Sequence, residues 1–82
     1  MEQQLRDALS KATLLRRHQV QERTGLSRSA IYAKLHSNPK RPWEHDPSFP
    51  APVQLGARAV AWIEAEIDAW IVSKIEQSRR SV

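Results

Sequence analysis

The 82 residues predict a mainly α domain carrying one small β-hairpin. Three stretches predict it. Val20–Leu35, VQERTGLSRSAIYAKL, reads as two short helices joined by a Thr24-Gly25-Leu26 turn. Glycine belongs where a chain leaving one helix needs a positive φ, and Ser27 can cap the next helix through its hydroxyl. Pro52–Trp62, PVQLGARAVAW, alternates apolar residues around a glycine as a hairpin does. Ile63, Ile67, Trp70, Ile71 and Ile75 recur at helical spacing and make an apolar stripe that can brace both. A sharply angled helix pair with a hairpin beside it is a winged helix-turn-helix, the plan that places its second helix in a DNA major groove.

Residues 1–12 form an N-terminal extension in which Leu5, Ala8, Leu9 and Ala12 fall at i, i+3, i+4 and i+7. It is under three turns long, so it forms a short docked helix or frays. The domain proper spans 13–77. Thr13 to Arg17 is a short extended entry with Leu14 or Leu15 turned into the core. The helix-turn-helix covers about 18–36, with Val20 inward in the first helix and Ile31 and Leu35 inward in the second. Asn38-Pro39 stops that helix, because proline disfavours α geometry in the residue before it. All five prolines lie in the 37–51 loop or just after it, and Trp43 and Phe49 are expected to pin that loop to the body. In the hairpin, 52–62, a two-residue Gly56-Ala57 type II′ turn would pair Leu55 with Arg58 and Val53 with Val60. Val53, Val60 and Trp62 would then share one face. The last helix covers 63–77, with Glu64 and Glu66 at its start, and 78–82 is a fraying tail.

The candidate DNA-binding residues follow from the polar face of the second helix. Ser29, Tyr32, Ala33 and His36 point outward on a 100° wheel, Arg28 and Lys34 lie on the flanks within reach of phosphates, and Arg58 lies at the hairpin tip. Arg17, Ser27, Lys40 and Arg41 are further candidate phosphate contacts. Charge supports the assignment. The formal net charge is +4, and it is unevenly spread. Between Arg16 and Arg41 the only acid is Glu22, whereas Trp62–Gln77 holds Glu64, Glu66, Asp68 and Glu76 against Lys74 alone. Such asymmetry favours a polyanionic partner, with nucleic acid ahead of a membrane surface.

Composition narrows the other possibilities. A chain this size buries only about 60–65% of its unfolded surface, too little for a deep active-site cavity. There is no cysteine, so disulfides and thiolate metal sites are excluded and a reducing compartment fits. His18, His36 and His45 lack ligand-like spacing, and no nucleophile motif, phosphate loop or carboxylate pair is present. Glu64, Glu66 and Asp68 read as a solvated helix face. No catalytic role, cofactor or metal is expected, and the sequence shows no membrane span or targeting peptide.

The combination of TGLSRSAIY (Thr24–Tyr32), FPAPVQLGARAVAW (Phe49–Trp62) and EIDAWI (Glu66–Ile71) resembles the AlpA-type prophage regulators, grouped with MerR-like and phage-excisionase winged-helix proteins. The resemblance covers about residues 14–75. It implies a bacterial or phage cytoplasmic, nucleoid-associated regulator of transcription that binds double-stranded DNA. By position it puts Arg28, Ser29 and Tyr32 on the recognition helix and Arg58 on the wing. Where the family often has an arginine after the tyrosine, this chain has Ala33. Its link from Leu35 to Phe49 is longer than in many members, and Ala65 stands where a capping serine is common. Two other functions compete. One is an excisionase that bends DNA and cooperates with an integrase or another phage protein. The other is a protein-interaction module with incidental charge, acting through residues 1–12 or the Trp43 loop. Self-association on DNA is expected for a reader of this size.

Overall fold

The computed structural model describes residues 13–81; the expected 1–12 helix lies outside them. The elements run β1 (Leu14–Leu15), α1 (Arg17–Thr24), α2 (Arg28–Leu35), a 3-10 turn (Pro42–Glu44), β2 (Val53–Gln54), β3 (Val60–Ile63) and α3 (Glu64–Arg80). Three helices and a small antiparallel sheet thus make a winged helix-turn-helix.

The turn between α1 and α2 is latched by its own side chains. Gly25 adopts φ 77°, the left-handed conformation that closes a helix, and its N–H donates to the Gln21 carbonyl at 2.8 Å. The Thr24 hydroxyl donates to the Val20 carbonyl at 2.8 Å and accepts from the Leu26 N–H at 3.2 Å. Ser27 then caps α2, its Oγ accepting from the Ala30 N–H at 3.1 Å. These bonds satisfy backbone groups that a helix end would otherwise leave open, so the angle between the helices is fixed locally.

The sheet order is β1-β3-β2, so β3 is the central strand. Leu14 pairs with Ile63 and Leu15 with Trp62; of the two leucines, Leu15 is the buried one. On the other side Val53 pairs with Ala61 and Gln54 with Val60. This corrects the expected hairpin register by one residue. The strands close at Leu55 and Ala59, with Leu55 N–H donating to Ala59 O at 2.7 Å, so three residues rather than two span the tip. Gly56 lacks a positive φ, and the type II′ turn is not formed. Side chains alternate along a strand, so the shift moves Val53 off the face of Val60 and Trp62 and leaves it 38% exposed.

One core unites the elements: Leu15 from β1, Val20 from α1, Ile31 from α2, Phe49 from the loop, Trp62 from β3 and Ile67 from α3. Trp62 is the largest fully buried side chain, and its indole N–H donates to the Pro50 carbonyl at 3.1 Å. Burying the ring therefore leaves no orphaned donor. Trp43, by contrast, is 76% exposed, and Phe49 alone anchors the loop apolarly. The expected pinning role of Trp43 is corrected: the loop is held by Phe49, which is buried in the core and meets Trp70 edge-on at 4.9 Å.

α3 begins at Glu64 and continues to Arg80, correcting the expected tail from 78. Within its stripe Ile67 is buried and Ile71 half-buried, while Ile75 reaches 43% exposure as the helix outruns the body. The helix has no side-chain N-cap; the Glu64 N–H donates instead to the Thr13 carbonyl at 2.8 Å. Glu64 and Asp68 stay on the solvated face expected for them, and there they meet a cation. Arg23 of α1 bridges both, at 2.6 and 2.8 Å. No helix among the described residues is long and apolar enough to cross a membrane.

Candidate nucleic-acid interface

Residues on α2 divide cleanly by direction. Ile31 faces the core and is fully buried, and Leu35 packs half-buried against the same cluster. Arg28, Tyr32 and His36, each four residues from the next, stand in file on the outer surface. The Arg28 guanidinium lies over the Tyr32 ring, 5.6 Å from its centroid. Tyr32 stacks on His36 with centroids 6.4 Å apart and planes within 7°. This stacking orders three adaptable side chains into a ridge along the helix.

The ridge has two flanks. On one, Arg28 and Tyr32 share an open groove of about 390 Å³ with Arg16, Arg17, His18, Arg58 and Val60. On the other, Ser29 and Ala33 turn toward the 3-10 turn, where Glu44 lines the adjoining concavity beside His36 and Asn38. The hairpin tip and the loop therefore lie on opposite sides of α2. Arg17 is partly committed, since its guanidinium donates to Gln21 at 2.7 Å. Arg28 and Arg58 make no ion pair with any carboxylate among the described residues.

The remaining candidates fall elsewhere. Ser27 accepts the Ala30 N–H at the α2 cap, which leaves its own O–H free to donate. Lys34 points away from the ridge and lies 5.5 Å from the Trp70 ring centroid, over the indole. Lys40 is exposed on the loop, and Arg41 pairs loosely with Glu44 at 3.5 Å. Arg16 and His18 join the groove although neither was singled out from the sequence. Their signal was the unbroken Arg16-Arg17-His18 run at the start of α1, which only the tertiary fold brings beside Arg58.

Beneath this surface, Asp46 organises the loop's return to the body. Its carboxylate accepts from the Ser48 hydroxyl at 2.6 Å, the Lys74 ammonium at 2.9 Å and the Trp70 indole at 3.1 Å. Burial alone would raise its pKa, but these donors prevail and hold it well below the usual carboxylate range. Lys74 also lies 5.6 Å from the Trp70 centroid, so that ring is flanked by Lys34 and Lys74. Asp46 N–H donates to the Lys34 carbonyl at 3.0 Å, tying the loop to the end of α2.

A basic ridge with a cation-bearing hairpin beside it is a geometry suited to a duplex groove. Comparison with known proteins bears on the family rather than on these contacts. Residues 13–75 match the family model described as "Prophage CP4-57 regulatory protein (AlpA)". The chain is 45% identical over 62 residues to the DNA-binding transcriptional activator AlpA of Escherichia coli (strain K12), covering 76% of this chain and 84% of that protein. It is 32% identical over 72 residues to the uncharacterized protein ORF88 of Enterobacteria phage P4, covering 88% of this chain and 72% of that one. No solved structure matches. With most of its length inside the family model and its fold and outer ridge in keeping with a DNA-reading regulator, the chain belongs to the AlpA family of prophage regulatory proteins.

Proposed function

We propose that this chain regulates transcription by binding double-stranded DNA sequence-specifically, with α2 in the major groove and the hairpin tip on adjacent backbone or minor groove. The observation that carries it is the shared groove joining Arg28 and Tyr32 to Arg58 and to the Arg16–His18 run. Arg28 is the best candidate base reader, because a guanidinium can donate two hydrogen bonds to guanine O6 and N7. Tyr32 and His36 extend the same ridge, and Ser29 and Ala33 present small surfaces that let α2 approach the bases. Arg16, Arg17, Arg58, Lys40 and Arg41 supply phosphate contacts. The small footprint of one such helix fits self-association on neighbouring half-sites, and a cytoplasmic location goes with the same reading.

The test is binding to the DNA upstream of the chain's own and neighbouring genes across a salt series. A specific complex loses affinity with a log–log slope of about −0.9 for each phosphate neutralised, and still discriminates against random competitor. Arg28→Ala is expected to cost about 1–3 kcal/mol of discrimination while the circular dichroism spectrum stays unchanged. If Arg28→Ala and Arg58→Ala both bind as the wild type does, this docking is wrong. Sites in a promoter with a change in transcript level fit a regulator; clustered, bent sites at a recombination arm would instead indicate an excisionase working with an integrase.

A further inference from the structure

The loop between α2 and β2 presents an unusual combination. Its framework is held at several points. Asn38 Oδ1 accepts from the Lys40 N–H at 2.9 Å, and the Asn38 carbonyl accepts from the Arg41 N–H at 2.9 Å. The 3-10 turn closes with Glu44 N–H on the Arg41 carbonyl at 3.1 Å. Asp46 and Phe49 then fix the far end to α2, α3 and the core. Yet this ordered segment holds Trp43 out in solvent, the most exposed large apolar side chain among the described residues. Lys40 and Arg41 stand three and two residues before it, Arg41 loosely paired with Glu44 at 3.5 Å. A ring that burial would stabilise is instead displayed next to two cations by a braced backbone.

We infer that the Lys40–Trp43 segment is a second DNA-contacting arm, gripping the sugar–phosphate strand on the side of α2 opposite the hairpin. The inference rests on the reading of α2 as a groove-bound helix and extends it to a residue that reading does not use. A helix lying in a major groove about 12 Å wide has a phosphate strand along each side. The hairpin tip with Arg58 flanks the Arg28–Tyr32 edge of α2, and the 3-10 turn flanks the Ser29–Ala33 edge. When α2 enters the groove, the two flanking elements come over the two strands. Trp43 offers a flat apolar ring for a deoxyribose and an indole N–H donor for a phosphate oxygen, with Lys40 and Arg41 supplying charge. Proline at 42 keeps the turn from needing reordering on contact. A protein partner fits less well. The display is a single ring, far short of the roughly 800 Å² that each side of a stable protein interface buries.

The experiment uses the full chain and a duplex selected from a randomised pool by the wild-type protein. Trp62 is buried and Trp70 is hydrogen-bonded and half-buried, so acrylamide quenching reports chiefly on Trp43. Adding duplex is expected to protect this accessible fluorescence, and Trp43→Phe to abolish the protection. Trp43→Ala is expected to weaken binding about five- to tenfold with melting temperature unchanged, and Lys40→Ala to reduce the salt slope by about 1. If the duplex binds wild type and Trp43→Ala alike and quenching is unaltered, the arm does not exist, whereas the α2 docking stands. If quenching is instead suppressed by raising protein concentration without DNA, Trp43 serves a second copy and the inference is overturned. Absence of any duplex binding by the wild type would overturn both readings together.

Discussion

The two sides of this domain treat their cations differently. On the side where α3 packs, Arg23 bridges Glu64 and Asp68, and Lys74 reaches Asp46 beside the Trp70 ring. On the side where α2 is open, Arg28 stacks on an aromatic ring and Arg58 stands at the hairpin tip, and neither meets a carboxylate among the described residues. Charge that holds the fold together is neutralised within it. Arg28 and Arg58, on the open side, keep their field for something outside. A net charge of +4 averages over this division and conceals it.

Substitutions can break the comparison or sharpen it, because one side is expected to cost stability and the other binding. Trp62→Ala should have the largest effect, about 3–5 kcal/mol, since it empties the centre of the core. A domain this small holds a total stability of only about 5 kcal/mol, so denaturation monitored by circular dichroism should find the variant largely unfolded. Asp46→Ala should cost about 2–3 kcal/mol by leaving Lys74 and the Trp70 indole without their acceptor. Asp46 also makes a pH prediction. Its folded pKa lies below the ordinary value of about 3.9, so its contribution is fully present above that value. The contribution is lost as pH falls from there toward the folded pKa. Acid melts should therefore lower the wild-type midpoint below about pH 4 more steeply than that of Asp46→Asn.

Gly25→Ala is expected to cost about 1–2 kcal/mol in urea unfolding. A Cβ there meets no atom within 4 Å, so the whole penalty is the positive φ rather than a clash. At the small end, Arg28→Ala should change the unfolding free energy by no more than about 0.5 kcal/mol, the scatter of a surface substitution, while impairing DNA recognition. A large loss of stability in Arg28→Ala would erase the distinction between the two sides.

How much of this was legible in the sequence follows from the range of the interactions. Ser27, Gly25 and the Ile31–Leu35 stripe act within a few residues, and the helix-turn-helix is readable from them alone. The hairpin existed in the pattern, but its register depended on how tightly the tip could close, and Gly56 suggested a tighter turn than Leu55 and Ala59 make. The third strand was not read, because two residues carry no periodicity and Leu14–Leu15 is a strand only by pairing with β3. Trp43 and Phe49 are both aromatic residues in one loop, and the ring that the inward one meets, Trp70, lies more than twenty residues further on. Among the site residues, the α2 ridge was visible on a helical wheel. The gathering of Arg16 and His18 beside Arg58 was not, since it requires α1 and the hairpin to meet.

The pairing of β1 with β3 also sets an order of events during synthesis. Leu15 and Trp62 are partners, yet roughly fifty residues separate them along the chain. The helix-turn-helix is translated first and has capped, locally specified helices, but too short to persist without packing. At about 5–20 residues per second, its apolar face waits several seconds for β3 to leave the ribosome. Only then can Trp62 cover Leu15 and its neighbours while Glu64 engages the Thr13 carbonyl. Packing of α2 is thus timed by a strand made after it, and a chain ending before Val60 would retain the α2 sequence without the support that folds it.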